Sequence, residues 1–313
     1  LFLPGVPEAV WLLSQGIYPD EPGENRMNSY YRLYRPITAA PFRNDGTYTE
    51  IPPCDALKPY IKCFWSSERP ADGAGTEGEL IIPDTCMDII FEVNHTRNRI
   101  ENRFVGINNK AFLTAGGMKG TDRRSVFGIR FYAWTAVLFS QDSMDGVQNN
   151  VFDAEQHFMA IKNCLEPLLY EITAFPSRAK EAEKILLRRL ETRRQKPALE
   201  AAIAVLLTQK GNLRTAALAD EVFLSRRQLE RLFREYTGVS PKQLSSLIRY
   251  QYLWQDILRE ESFDAANAVH KYGYTDQSHL LHDFKKYHTL LPKEAKAYAR
   301  KMAGNPVANL QYE

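Results

Sequence analysis

Cysteine is scarce: Cys54, Cys63, Cys86 and Cys164 are the only four in 313 residues, and they form no Cys-x-x-Cys pair and no zinc-ligand spacing. A disulfide framework and a structural metal are therefore not expected, and the four read as reduced thiols. Long apolar runs are missing too. The apolar opening LFLPGVPEAVWLLSQG has no basic flank and is broken by Pro4, Pro7 and Glu8, so neither a membrane span nor a secretory signal is supported, and a cytoplasmic location is expected. There is no Gly-rich phosphate loop, no nucleophile elbow and no triad that the sequence can place. Asp84, Asp88 and Glu92 would lie along one strand face with their carboxyl groups held apart, which lacks the geometry for acid–base work. The expectation is a protein that is not an enzyme, with no catalytic residue, no cofactor and no metal.

What is present is uneven along the chain. The formal charge is only +2, yet residues 196–313 carry 17 Lys/Arg against 13 Asp/Glu while residues 1–195 carry 23 against 25. A solvated helical surface explains that excess as well as a phosphate-binding one does. The length allows two packed domains. Residues 1–26 are rich in Pro, Gly and acids, and Met27 followed by NSYYRLYRPI reads like a natural beginning, so the leading segment is expected to be a disordered extension. From 27 to 150 the short runs IKCFWSSE, GELIIPD, CMDIIFEV, NRFVGI, KAFLTAGG and SVFGIRFY, separated by Gly, Pro, Asn and Asp, predict a β-rich regulatory domain. Residues 151–196 change to three- and four-residue apolar steps and predict a helical linker, with Pro176 and Pro197 as start or stop signals. Residues 197–303 read as all helix with turns at Gly211, Gly238 and Gly273, and 304–313 as a tail. The fold class is α+β: a β-rich N-terminal domain, a helical linker region and an all-α C-terminal domain.

The C-terminal part contains a repeat. Ser225–Pro241 and Asp276–Pro292 align without a gap at an offset of 51 residues, with Leu229/Leu280, Phe233/Phe284, Tyr236/Tyr287 and Pro241/Pro292 identical. In the first copy Leu229, Leu232, Phe233 and Tyr236 form an apolar stripe opposite Arg226, Arg227, Glu230, Arg231 and Arg234, with Ser225 placed as N-cap. A short helix, RTAALADEV, precedes it across a tight turn, as in a helix-turn-helix whose second helix enters a DNA major groove. The second copy repeats the layout with DAANAVHKYGY, an N-cap at Asp276 and outward Gln277, Ser278, Leu281, His282 and Lys285. PKQLSSLIRYQYLWQDILRE between them predicts a helix of roughly 30 Å, near the ~34 Å of one B-DNA turn.

These residues resemble the DNA-binding domain of the AraC/XylS family of transcription regulators over about 105 residues, 198–302. GYTDQSHLLHDFKKYHTLLP matches the family's second-repeat signature, Gly-Phe/Tyr-x-Asp-x-Ser-x-Phe-x-x-x-Phe-Lys-Lys/Arg and then Pro. It departs at Leu280, where the signature has Phe, and at Thr289 and Leu291, where Gly and Ser/Thr are usual, and Phe223 stands where the first turn commonly has Gly. The resemblance implies sequence-specific double-stranded DNA as partner, with RNA polymerase, a small-molecule effector and a homodimer as further expectations, and activation as the mode. It implies base contacts from Arg227, Glu230 and Arg231 and from Gln277, Ser278, Leu281 and His282. Arg226, Arg234, Lys285 and Lys286 are the phosphate candidates. Arginine can pair with guanine and glutamate with cytosine, so the first set has the better chemistry for reading; Asp283 would repel phosphate if it faced the backbone.

LKPYIKCFWSSE, IIPDTCMDIIF and GIRFYAWTAVLF resemble a β-rich module that precedes this domain in some members, where it senses a small molecule or dimerises. Phe64, Trp65, Phe91, Phe131, Tyr132 and Trp134 are the ligand-pocket candidates, although aromatics at strand spacing are more often plain core. Apolar stripes at Ile161, Leu165, Leu168 and Leu169 and at Ile185, Leu186 and Leu190 would serve a dimer or pack on their own sheet. The rival reading is an N-terminal enzyme, or a metal or redox sensor, carrying a helical interaction module. His270, His279, His282 and His288 lie close in sequence, but no carboxylate or Cys completes a ligand set.

Overall fold

The computed structural model describes residues 31–38, 48–69, 80–113 and 122–302. The expectations for 1–26 and 304–313 lie outside the described residues. A six-stranded antiparallel sheet has the order β1-β2-β7-β4-β5-β8, built from β1 (Tyr48–Ile51), β2 (Ile61–Arg69), β4 (Cys86–Asn94), β5 (Arg99–Val105), β7 (Arg124–Tyr132) and β8 (Val151–Phe152). A two-stranded sheet pairs β3 (Leu80–Ile81) with β6 (Phe112–Leu113).

Alternation along the strands sorts their side chains onto two faces. Met87, Ile89, Phe91 and Val93 of β4 and Phe127, Ile129 and Phe131 of β7 point to one side and are fully buried or nearly so. Two helices cover that side, α1 (Ala154–Glu171) and α2 (Phe175–Arg189), through Phe158, Ile161, Leu165, Leu169, Ala182 and Leu186. The stripe that could have served a dimer thus packs on the chain's own sheet. Asp153 caps α1 by accepting from the Glu155 amide at 2.9 Å, and Pro176 and Pro197 each stand in the first turn of a helix, where a missing N–H leaves no bond unmade.

The opposite face is polar, and here the acidic cluster departs from expectation. Asp84 precedes β4, after which Thr85 takes a φ of 60°, so Asp84 and Asp88 do not sit along one strand. Their carboxylates converge on one guanidinium: Arg130, opposite Asp88 in register, donates from Nε to Asp88 at 3.0 Å and lies 3.6 Å from Asp84. Glu92 is bonded instead to Arg124 at 2.8 Å. Trp65 lies flat against Gly128, where a Cβ would fall 2.1 Å from the indole, and donates to Asp88 at 2.7 Å.

The helical domain holds α3 (Pro197–Thr208), α4 (Thr215–Glu221), α5 (Arg226–Thr237), α6 (Pro241–Arg259), α7 (Ala265–Tyr272), α8 (Gln277–His288) and α9 (Pro292–Met302). It shares one continuous apolar core with the β module.

Candidate nucleic-acid interface

Each half of the repeat folds as a helix-turn-helix, α4 with α5 and α7 with α8, because the local signals agree. Ser225 accepts from the Gln228 amide while the Gln228 side chain takes the Ser225 N–H, a reciprocal cap that fixes where α5 begins. Asp276 accepts from the His279 amide at 2.7 Å and starts α8. Both reading helices end on a left-handed residue, Gly238 (φ 73°) and Thr289 (φ 68°), which occupy equivalent places in the repeat. The departure at Thr289 therefore keeps the turn. Phe223 does too: it takes a φ of 55°, the region that favours glycine, and is 54 % exposed.

Leu229, Phe233 and Tyr236 of α5 and Leu280, Phe284 and Tyr287 of α8 are buried, which leaves the outward faces for a partner. Arg226, Arg227, Arg231 and Arg234 are exposed and Glu230 half-buried. Among the described residues no carboxylate pairs with any of these arginines. On α8, Gln277, Ser278, His282, Lys285 and Lys286 are exposed, and Leu281 is half-buried against the core. Lys286 rests its ammonium 5.1 Å from the Tyr287 ring.

Asp283 faces inward. Its carboxylate accepts from Arg249 and from the Tyr274 hydroxyl, both at 3.2 Å, and Arg249 lies 4.4 Å over the Tyr274 ring. A paired, half-buried carboxylate turned to the core does not repel phosphate at the surface. Between the two readers α6 has 19 residues, about 28 Å of helix at the usual rise.

The histidines do not gather. His288 is buried, stacked on Phe284 and bonded at Nδ1 to the Tyr250 hydroxyl at 2.8 Å, and burial brings its pKa down to about 3. Among the described residues no group of three or more His, Cys, Asp or Glu is placed to hold a metal ion. Nor is any described helix long and apolar enough to cross a membrane.

The ligand-pocket candidates fall into two sets. Phe64, Phe91 and Phe131 are fully buried in the helix-covered core, Phe64 stacked on Phe127 and Phe131 on Phe158. Tyr132 and Trp134 are stacked and buried, and Trp65 is half-buried on the polar face beside Tyr48. Trp134 also walls a crevice of about 20 Å³ between the β module and the helical domain, with Leu138, Leu199, Glu200 and Tyr236, room for about one water. Burial raises the Glu200 carboxyl there to about 7. Sequence reasoning missed Arg130. It is buried, and its Nη1 makes no hydrogen bond, the Glu50 carboxylate lying 3.8 Å away. Burial opposes its charge, but Asp88 above all holds its pKa well above the ordinary arginine value. A lone strand Arg gives no signal in sequence; strand register brings Glu50 and Asp88 around it, and the left-handed turn at Thr85 brings Asp84.

One family model agrees with this geometry. Residues 218–298 match the family model of a helix-turn-helix domain, and residues 49–153 match a Domain of unknown function (DUF6597). The C-terminal part of the chain carries a helix-turn-helix domain. No curated protein matches the chain. Among solved structures, an AraC-type transcriptional regulator from Chromobacterium violaceum is 25 % identical, with 33 % of this chain and 92 % of that one covered and a TM-score of 0.31. ToxT from Vibrio cholerae O395 is 14 % identical, covering 75 % and 98 % at a TM-score of 0.37. An unsaturated fatty acid-bound ToxT from Vibrio cholerae strain SCE256 is 12 % identical, covering 78 % and 97 % at 0.37.

Proposed function

We propose that this chain is a sequence-specific regulator that reads two adjacent major-groove segments, one with α5 and one with α8, and recruits RNA polymerase as an activator. The observation that carries the reading is the outward face of α5: four exposed arginines without a carboxylate partner among the described residues, on a helix whose opposite face is core. Arg227 and Arg231 have the fork that pairs with guanine O6 and N7, and Glu230 can accept from cytosine N4. Arg226 and Arg234 flank them toward phosphate. On α8, Gln277 and His282 read, Ser278 and Leu281 add lesser contacts, and Lys285 and Lys286 hold the backbone.

The β module, on this reading, takes a small-molecule effector, and the polar sheet face suits it better than the packed aromatics. Arg130 offers there a buried donor without a hydrogen bond, framed by Glu50, Trp65 and Tyr48. The test of DNA reading is methylation interference at guanine N7 on duplexes selected from a random library. Interference in two blocks about one helical turn apart supports it. Interference in one block, or none, contradicts it.

A further inference from the structure

The β module does more than stand beside the reader. It touches α5, α6 and α8 at once, and it does so through backbone groups at the ends of both reading helices. The Met144 amide donates to Glu235 O at 2.7 Å, and the Ala111 amide donates to Tyr287 O at 2.9 Å. In the repeat Tyr287 is the counterpart of Tyr236, so the two acceptors sit within one residue of equivalent positions. The last carbonyls of a helix have no partner within it, which makes them natural places for an outside donor. Beside the first, Gly238 is held so closely that a Cβ would lie 2.8 Å from both Met144 O and Val147 Cγ2.

The third hold is on α6. Gln251 is fully buried; its amide oxygen accepts from the Ile37 N–H at 2.8 Å and its amide nitrogen donates to Pro83 O at 2.5 Å. Gln255, one turn on, donates to Arg35 O at 2.9 Å. A buried amide is unfavourable unless its hydrogen bonds are made, so these two residues fit only the docked arrangement. The helix α6 by itself sets an axial distance between the readers. How each reader tilts about α6 depends on what else grips it, and the module grips both.

We propose that the β module is a spacing gauge: by fixing α5, α6 and α8 to one body it sets which separation of the two base blocks the protein binds. Gln251 and Gln255 are positioning residues in this scheme and touch no DNA. The inference rests on the two-block reading above. One base pair more or less turns the second block by about 35° around the duplex, which takes the second reader off its bases.

The test uses the full chain and duplexes carrying the two selected blocks with the spacing changed by one or two base pairs. Wild-type affinity should fall at least about tenfold for each base pair added or removed. Gln251→Ala should release the Ala111 and Met144 amides to faster hydrogen exchange and flatten the spacing profile to within about threefold, with base preference inside each block unchanged. Should that variant fail to fold, Gln255→Ala, which removes a single bond, carries the same comparison. A wild-type protein indifferent to spacing overturns the gauge, and so does a variant with released amides and the wild-type profile. If the library yields no enriched duplex, DNA reading has failed and the gauge fails with it.

Discussion

At the scale of single residues the interface divides into readers and holders, and the two classes fail differently. Arg231→Ala should lower discrimination at one base position by ~1–3 kcal/mol and leave thermal stability unchanged, as measured on a panel of single-base variants of the site. Lys285→Ala should weaken all duplexes alike and reduce the salt slope by about one, since one fewer counterion is released. Two titratable groups, the buried His288 and the half-buried Glu200, predict opposite pH effects. His288 has a folded pKa near 3 against an ordinary 6.5. Between those values the unfolded chain binds a proton that the folded one does not, so stability is full above 6.5 and is lost as pH falls. His288→Phe should remove that slope from the melting temperature. Glu200, raised to about 7 from 4.5, runs the other way: its contribution is full below 4.5 and lost as pH rises through about 7. Glu200→Gln should melt higher than wild type above pH 7 and with little difference below pH 5; equal melting across the range would show that Glu200 is solvated.

At the scale of elements, what the sequence made legible was what is local. The N-caps Ser225 and Asp276, the prolines opening α2, α3, α6 and α9, and the three- and four-residue stripes all act within one turn of themselves, so the helices could be placed without knowing the fold. The position of Asp84 could not, because it depends on a left-handed Thr85 that nothing nearby announces. The turns carry their own test. Phe223 holds a left-handed φ with an exposed ring, a conformation that costs a non-glycine residue about 1–2 kcal/mol, so Phe223→Gly should stabilise the first subdomain by about 1 kcal/mol in urea. Gly238→Ala should do the reverse by at least about 1 kcal/mol, because φ and the Met144 carbonyl both oppose a Cβ. If Gly238→Ala is neutral, the loop at Met144 does not hold the end of α5.

At the scale of the whole molecule the reader and the β module form one body. Gln251 meets Ile37 across 214 residues of sequence, and in the linear pattern of α6 it is one more polar residue on a helix. Distance along the chain hid this half of the site, just as strand register hid Arg130. Since the stripes of α1 and α2 are spent on their own sheet, any dimer must use other surface, and sedimentation of the full chain at micromolar concentration, with and without DNA, will show whether one forms. A monomer in both states would confine regulation to contacts within one chain.

The most direct measurement is a fluorescence anisotropy titration of a selected duplex and a scrambled one at several salt concentrations. A DNA reader of this design should hold the selected duplex ~10³-fold or more tighter, with log affinity falling linearly in log salt by roughly 0.9 for each phosphate contact. Equal affinity for the two duplexes at every salt concentration would mean that α5 and α8 do not read sequence.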